Sequence, residues 1–283
     1  MTEKERKISV PRKNRLNELD GKTWTRYSIS IWEISKTSEE AKLKHPAMFP
    51  KELCSRLIDI YTKKEDVVLD PFMGSGSTLV VAKDKDRKGI GFDISPAFVK
   101  LAKRRLSQTK LVDVGIVESK VYCDDARNLL KYVEPSSVDL VITSPPYWNI
   151  HTRKRSADYK ESRPYSDLEK DLGNIDDFNV FMTELKSVFE KVYTVLKHCK
   201  KCVVVVMDIR FGSQFVPFHM NVIDIMRQIG FVLEDITIWD RRREYNNLRP
   251  LGYPYVFIVN KVHEYILIFR KNKEEETNVT KTN

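Results

Sequence analysis

The stretch VVLDPFMGSGST, Val67–Thr78, runs an apolar triplet into Asp70, a proline turn and two closely spaced glycines. A strand that breaks at a glycine turn and reopens as a helix near Ser77 is the building unit of a doubly wound α/β sheet. Gly74 and Gly76 let the backbone approach a ligand closely, and the following helix N-terminus favours a negative group such as a carboxylate. The turn lacks the GK[ST] signature, and with it the lysine of a phosphate-binding loop. Leu79 stands where a dinucleotide fingerprint carries its third glycine.

Outward from this turn, apolar runs alternate with helical patterns. Strands are expected at Val67–Leu69, Ile90–Phe92, Lys120–Cys123, Val138–Ile142, Cys202–Met207, Val232–Trp239 and Tyr265–Phe269. Helices are expected at Phe49–Tyr61, Ser77–Lys85, Pro96–Leu106, Ile175–Lys197 and Pro217–Ile229. Pro96 and Pro217 suit a first helical turn. The rhythm predicts an α/β fold: a mostly parallel seven-stranded sheet, helices on both faces, and an antiparallel hairpin at the sheet edge. Asp93 ends the second of these strands, about twenty residues past the glycines, where a carboxylate accepts from ribose hydroxyls. It would serve equally as a helix cap, with Ser95 as its rival. Asp124 ends the third strand and could accept from an adenine amino group, with Asp125 beside it.

A second stretch, VDLVITSPPYWN, places Ser144-Pro145-Pro146-Tyr147 directly after an apolar strand. Ligands of open α/β sheets lie beyond the carboxyl ends of strands, so the position suits an active site. The prolines carry no N–H and leave the carbonyls of the turn free to accept.

The pair DPFMGSGST and TSPPYWN resembles the S-adenosylmethionine-dependent DNA amino-methyltransferases, from about Trp24 to Arg270. The resemblance implies the class I methyltransferase fold and S-adenosylmethionine as cofactor. The cofactor would be held by Asp70, Phe72, Gly74, Gly76 and Thr78 of the glycine motif, with Asp93 and Asp124. KHPAMFP upstream resembles the flanking segment that helps enclose the cofactor, which adds His45 and Phe49; Phe49 could equally be a staple for a helix started by Pro50. Ser144 and Pro145 would accept from an amino group, Pro146 would stiffen the turn, and Tyr147 would stack on a flipped base. The SPPY form is associated mainly with N4-cytosine methylation, although many SPPY enzymes carry the two motifs in the opposite order. N6-adenine methylation is the alternative; RNA or protein amide methylation, and a catalytically silent DNA-binding regulator, are further ones. Carbon-5 methylation is disfavoured, since it needs a thiolate, typically in a Pro-Cys pair that this chain lacks.

Forty-nine Lys and Arg against forty Asp and Glu leave a net charge of +9, which suits a polyanion such as double-stranded DNA. Arg153, Lys154 and Arg155 in one segment, and Arg241, Arg242, Arg243 and Arg249 in another, mix with aromatic and amide side chains as candidate DNA contacts. Asn246 and Asn247 would read adenine or simply make a turn, and DIRFGSQF reads as a further loop on the same side. Residues 1–20 read as a basic flexible arm, 21–270 as the methyltransferase domain with its DNA-reading loops, and 271–283 as a polar tail. Cys199 and Cys202 have ligand-like spacing without a second pair to complete a tetrahedral site, so no metal is expected and Cys202 reads as a buried strand cysteine. No apolar run is long enough to span a bilayer, so a cytoplasmic setting without membrane is expected. A cognate restriction endonuclease is a partner the resemblance admits; the oligomeric state is left open.

Overall fold

The computed structural model describes residues 15–42, 49–108, 118–150, 166, 168, 170–211, 214–245, 248 and 250–273. In chain order the elements are α1 (Gly21–Tyr27), β1 (Ile31–Glu33), α2 (Ser38–Lys42), α3 (Lys51–Tyr61), β2 (Val67–Asp70), α4 (Ser77–Asp84), β3 (Lys88–Asp93) and α5 (Pro96–Ser107). They continue with β4 (Lys120–Cys123), β5 (Val138–Thr143), α6 (Phe178–Val195), β6 (Leu196–Val206), β7 (Ile209–Phe211), β8 (Gln214–Val216), α7 (Phe218–Ile229), β9 (Phe231–Asp240) and β10 (His263–Lys271).

Eight strands form one sheet in the order β1-β9-β10-β6-β5-β2-β3-β4. The pairs β4–β3, β3–β2, β2–β5 and β5–β6 are parallel, while β10 runs antiparallel to both β6 and β9. The seven expected strands are all present. The hairpin β9–β10 is antiparallel as expected, but it is not the edge. That place belongs to β1, which pairs parallel with β9 and makes the sheet eight-stranded. Three residues carrying one buried side chain, Trp32, are too short a run for sequence periodicity to register.

The run Cys202–Val206 shows why the sheet is a central layer. Val204 and Val206 pack into the cluster formed with Phe181, Leu185 and Phe189 of α6 and Met226 of α7. Val203 and Val205 face the opposite cluster, with Leu53, Leu57 and Ile58 of α3. An uninterrupted apolar strand is the mark of a sheet covered on both faces. Asp177 caps α6, its side chain accepting from Val180 N at 2.9 Å, and β6 follows the helix with no intervening loop, so the helix is shorter than expected at both ends.

Packing reaches residues on either side of the expected 21–270 span. Asn17 is buried and donates to the Ile60 carbonyl at 2.7 Å. Lys271 is buried at the end of β10, donating to the carbonyls of Tyr193 and Leu196 at 2.7 Å each. DIRFGSQF is not a plain loop: β7 and β8 form a two-stranded hairpin there. Cys202 is buried, and burial pushes its thiol up, while Cys199 is exposed. Among the described residues no helix is long and apolar enough to cross a membrane.

Candidate active site

The strand order reverses between β2 and β5, which are neighbours although β3 and β4 intervene in the chain. This switch point opens a crevice at the carboxyl ends of the two strands. The glycine turn leaves β2 there, and SPPY leaves β5. Asp70 ties them together. Its carboxylate accepts from Thr78 Oγ1 at 2.8 Å, Thr143 Oγ1 at 2.9 Å and the Phe72 amide at 3.1 Å. Burial nevertheless pushes this acid up to about 6. Asp70 lines the crevice, yet all three donors come from the protein, so its geometry is that of a brace between the two motifs.

The crevice encloses about 870 Å³ of space continuous with solvent. Its walls include Phe49, Phe72, Gly74, Thr78, Asp93, Asp124, Ser144 and Pro146 from the sequence expectation. Pro71, Met73, Ile94, Phe98 and the Lys170–Leu172 segment join them. Pro71, Met73, Ile94 and Phe98 were not legible as site residues because apolar positions beside strand ends look like ordinary core, and the Lys170–Leu172 segment carries no motif. Asp93 Oδ2 accepts from the Gly74 amide at 3.0 Å and Oδ1 from the Ser95 amide at 2.8 Å. It therefore closes the glycine turn and does not cap α5, whose cap residue is Ser95. Burial pushes its carboxyl up to about 7 against those two hydrogen bonds. Asp124 accepts from Tyr132 Oη at 2.7 Å, the Asp125 amide at 2.7 Å and Asn128 Nδ2 at 2.9 Å. The Tyr132 hydroxyl holds this carboxyl below its usual range. Asp125 also lines the crevice, but its carboxylate is paired with Arg127 at 2.6 Å.

Gly76 departs from the expectation. It is not part of the crevice wall. Its φ is +78°, and a Cβ there would sit 2.8 Å from the Ala102 Cβ. The residue is small so that α5 can pack against the turn. Arg105, missed in a run that reads as a solvated helix face, is buried and braces the same turn. Its Nη1 donates to the Ser75 carbonyl at 2.6 Å and to Ser75 Oγ and Ser77 Oγ at 3.0 and 3.2 Å.

At the SPPY turn, Ser144 and Pro146 face the crevice and Pro145 is buried behind them. Tyr147 also departs from the expectation of an open stacking ring. It is 7% exposed and packs edge-on against Phe218 at 6.1 Å between ring centres. Its hydroxyl donates to Glu264 Oε2 at 2.9 Å and accepts from Ser144 Oγ at 3.1 Å. Asn149 Nδ2 donates to Asp176 Oδ1 at 3.0 Å, which fastens the end of the motif to the segment leading into α6.

Arg241 is not a surface arginine. It pairs with Glu264 and, at 2.6 Å, with Glu244, and it lies over the rings of Trp239 and Tyr245. Burial opposes its charge, but the two carboxylates outweigh burial and hold it protonated. Its charge is thus consumed inside the protein. Arg242 and Arg243 are 69% and 79% exposed; Arg242 pairs with Asp240 at 2.5 Å and Arg243 with Glu33 at 2.9 Å. His45, Arg153, Lys154, Arg155, Arg249, Asn246 and Asn247 lie outside the described residues. The turn before β10 exposes Tyr253, Tyr255 and Phe257, the last two more than 90%.

A family profile described as DNA methylase matches residues 2–104 and 138–283. The chain belongs to that DNA methylase family. Among curated relatives, a Type II methyltransferase of Lactococcus lactis subsp. cremoris, M2.LlaDCHI, is 44% identical over 80 residues, 28% of this chain and 30% of that one. Type II methyltransferase M.HindIII of Haemophilus influenzae is 35% identical over 99 residues, 31% of this chain and 32% of that one. The chain thus spans about a third of the length of the curated relatives it matches. Its fold is shared with a SAM-dependent methyltransferase of Methanosarcina mazei, at TM-score 0.50 and 14% identity over 77% of this chain and 98% of that one.

S-adenosylmethionine is the cofactor of this DNA methylase family, and the crevice has the features to hold it. α4 starts at Ser77 after Gly76, with no side-chain cap, which leaves its N-terminal field for a carboxylate. Asp93 is a dehydrated acid that donors such as ribose hydroxyls would stabilise in its charged form. Phe49, Phe72 and Phe98 offer apolar faces to a purine.

Proposed function

We propose that this DNA methylase transfers a methyl group to the exocyclic N4 nitrogen of a cytosine flipped out of duplex DNA. One observation carries the reading: Asp70 binds Thr78 of the glycine motif and Thr143 of the SPPY strand at once, so cofactor wall and amino-group turn share one crevice. S-adenosylmethionine supplies an electrophilic methyl; the sulfur–carbon bond breaks with its electrons left on sulfur as the thioether S-adenosylhomocysteine, and a nitrogen–carbon bond forms. An aromatic amino nitrogen is a poor nucleophile because its lone pair is delocalised into the ring. Ser144 Oγ, which lines the crevice, accepts one of its hydrogens and favours a pyramidal nitrogen, and fixed placement supplies much of the rate; Pro145, buried behind it, would reach the second hydrogen only through its carbonyl. One amino proton then passes to solvent water. Arg242, Arg243 and the exposed aromatic turn at Tyr253–Phe257 form the DNA-facing surface, in place of Arg241.

The SPPY form supports cytosine over adenine. The test is methyl transfer to duplex DNA by the wild type and by Ser144→Ala. The substitution is expected to lower kcat by about tenfold or more while cofactor affinity holds, as for an interaction that strengthens in the transition state. Equal turnover in the two would remove Ser144 from the chemistry.

A further inference from the structure

We infer that Glu264, on β10, sets the direction of the Ser144 hydroxyl through Tyr147 and is a positioning residue for methyl transfer. A carboxylate can only accept, and a phenol has one proton to give. Glu264 is 4% exposed and anchored by Arg241, which Glu244 in turn holds at 2.6 Å. Tyr147 therefore spends its proton on Glu264, at 2.9 Å. Its oxygen is left as an acceptor, and the Ser144 proton goes to it across 3.1 Å. The lone pairs of Ser144 Oγ, and not its hydrogen, are then the part of the hydroxyl presented to the crevice that Ser144 lines. An amino group entering that crevice brings hydrogens, so it meets an acceptor whose polarity is already fixed. A free serine hydroxyl could also turn its hydrogen to the crevice, where it would repel an amino hydrogen. The buried ion pair thus acts through two hydrogen bonds on the serine that meets the reacting nitrogen.

This inference rests on the function proposed above, and a double-mutant cycle separates the two. Glu264→Gln keeps the shape, but Arg241 attracts the amide oxygen and turns the NH₂ towards Tyr147. The phenol then donates to Ser144, and the serine hydrogen turns to the crevice. In full-length protein with S-adenosylmethionine and duplex DNA, Glu264→Gln is expected to lower kcat by about tenfold, the scale of one misdirected hydrogen bond, with KM for both substrates within about twofold. Tyr147→Phe removes the relay while leaving the ion pair in place, and is expected to give a similar loss. The decisive figure is the effect of Glu264→Gln in the Tyr147→Phe background, expected to be less than about twofold because no phenol remains to reverse. Melting curves of all four proteins guard against a folding effect, and Tyr147→Phe alone still tests the relay if Glu264→Gln does not fold. Full loss in the Tyr147→Phe background, unchanged kcat in Tyr147→Phe, or a loss confined to KM would each overturn the relay while leaving the function standing. An inactive wild type would overturn the function and the relay with it.

Discussion

At the scale of single residues, Asp93 has the clearest titration. Burial raises its carboxyl to about 7 in the free protein. Donors on a bound cofactor would stabilise the charged form and lower that value, so binding expels a proton. The sign follows: affinity for S-adenosylmethionine rises with pH up to about 7, by at most about tenfold per unit for a single proton, and is flat above. Calorimetry across pH 5.5–8 in two buffers of different ionisation heat checks both slope and proton release, with ~7 as the turning point. Asp93→Asn should flatten the profile; an unchanged profile would remove Asp93 from the cofactor site. Asp93, Asp124, Ser144 and Gly74, all marked in the sequence at the ends of apolar strands, line one crevice. Tyr147 and Arg241 were misjudged for one shared reason. A sequence shows that a tyrosine or an arginine is present, but not that a buried glutamate more than a hundred positions away, or a neighbouring strand, has claimed it. Glu264 itself, inside the apolar strand HEYILIF, carried no signal beyond being an acid in an apolar run.

At the scale of elements, the two glycine-dependent turns have different consequences. Gly76→Ala forces a left-handed φ of +78° on a Cβ that would lie 2.8 Å from Ala102. The expected loss is about 1–3 kcal/mol of stability, since both strain and the shift of α5 act together. Gly252, at φ +77°, would place a Cβ 2.2 Å from the Val256 carbonyl oxygen. Gly252→Ala should therefore rearrange the exposed aromatic turn, weaken DNA binding and leave the melting temperature and cofactor affinity nearly unchanged. Denaturant melts paired with DNA titrations distinguish the two; a Gly252→Ala protein with native DNA affinity would take the turn out of the interface. The long strands and the amphipathic helices could be read from the sequence because each repeats its period several times. β1 and the β7–β8 hairpin could not: three residues per strand hold barely one period, and only pairing with neighbours defines them.

At the scale of the whole molecule, a net charge of +9 favours a polyanionic partner, and the crevice and the exposed Arg242 and Arg243 after β9 both lie at the carboxyl ends of the parallel strands. Replacing Arg242 and Arg243 together by alanine should weaken DNA binding and reduce the slope of log affinity against log salt by up to about 1.8, or about 0.9 for each phosphate no longer neutralised. Stability should change little, because both guanidinium groups are exposed, Arg242 in its pairs with Asp240 and Glu33 and Arg243 in its pair with Glu33. An unaltered slope would move the DNA surface elsewhere. The alternation of strands and helices made the doubly wound core legible, β1 and the β7–β8 hairpin excepted. The most direct test of the account is to incubate the protein with duplex DNA and methyl-labelled S-adenosylmethionine, digest the DNA to nucleosides and separate them. The account predicts label in N4-methylcytosine; label in N6-methyladenine alone would contradict the cytosine assignment, and label in carbon-5 methylcytosine, or in no nucleoside at all, would contradict amino-methylation of DNA.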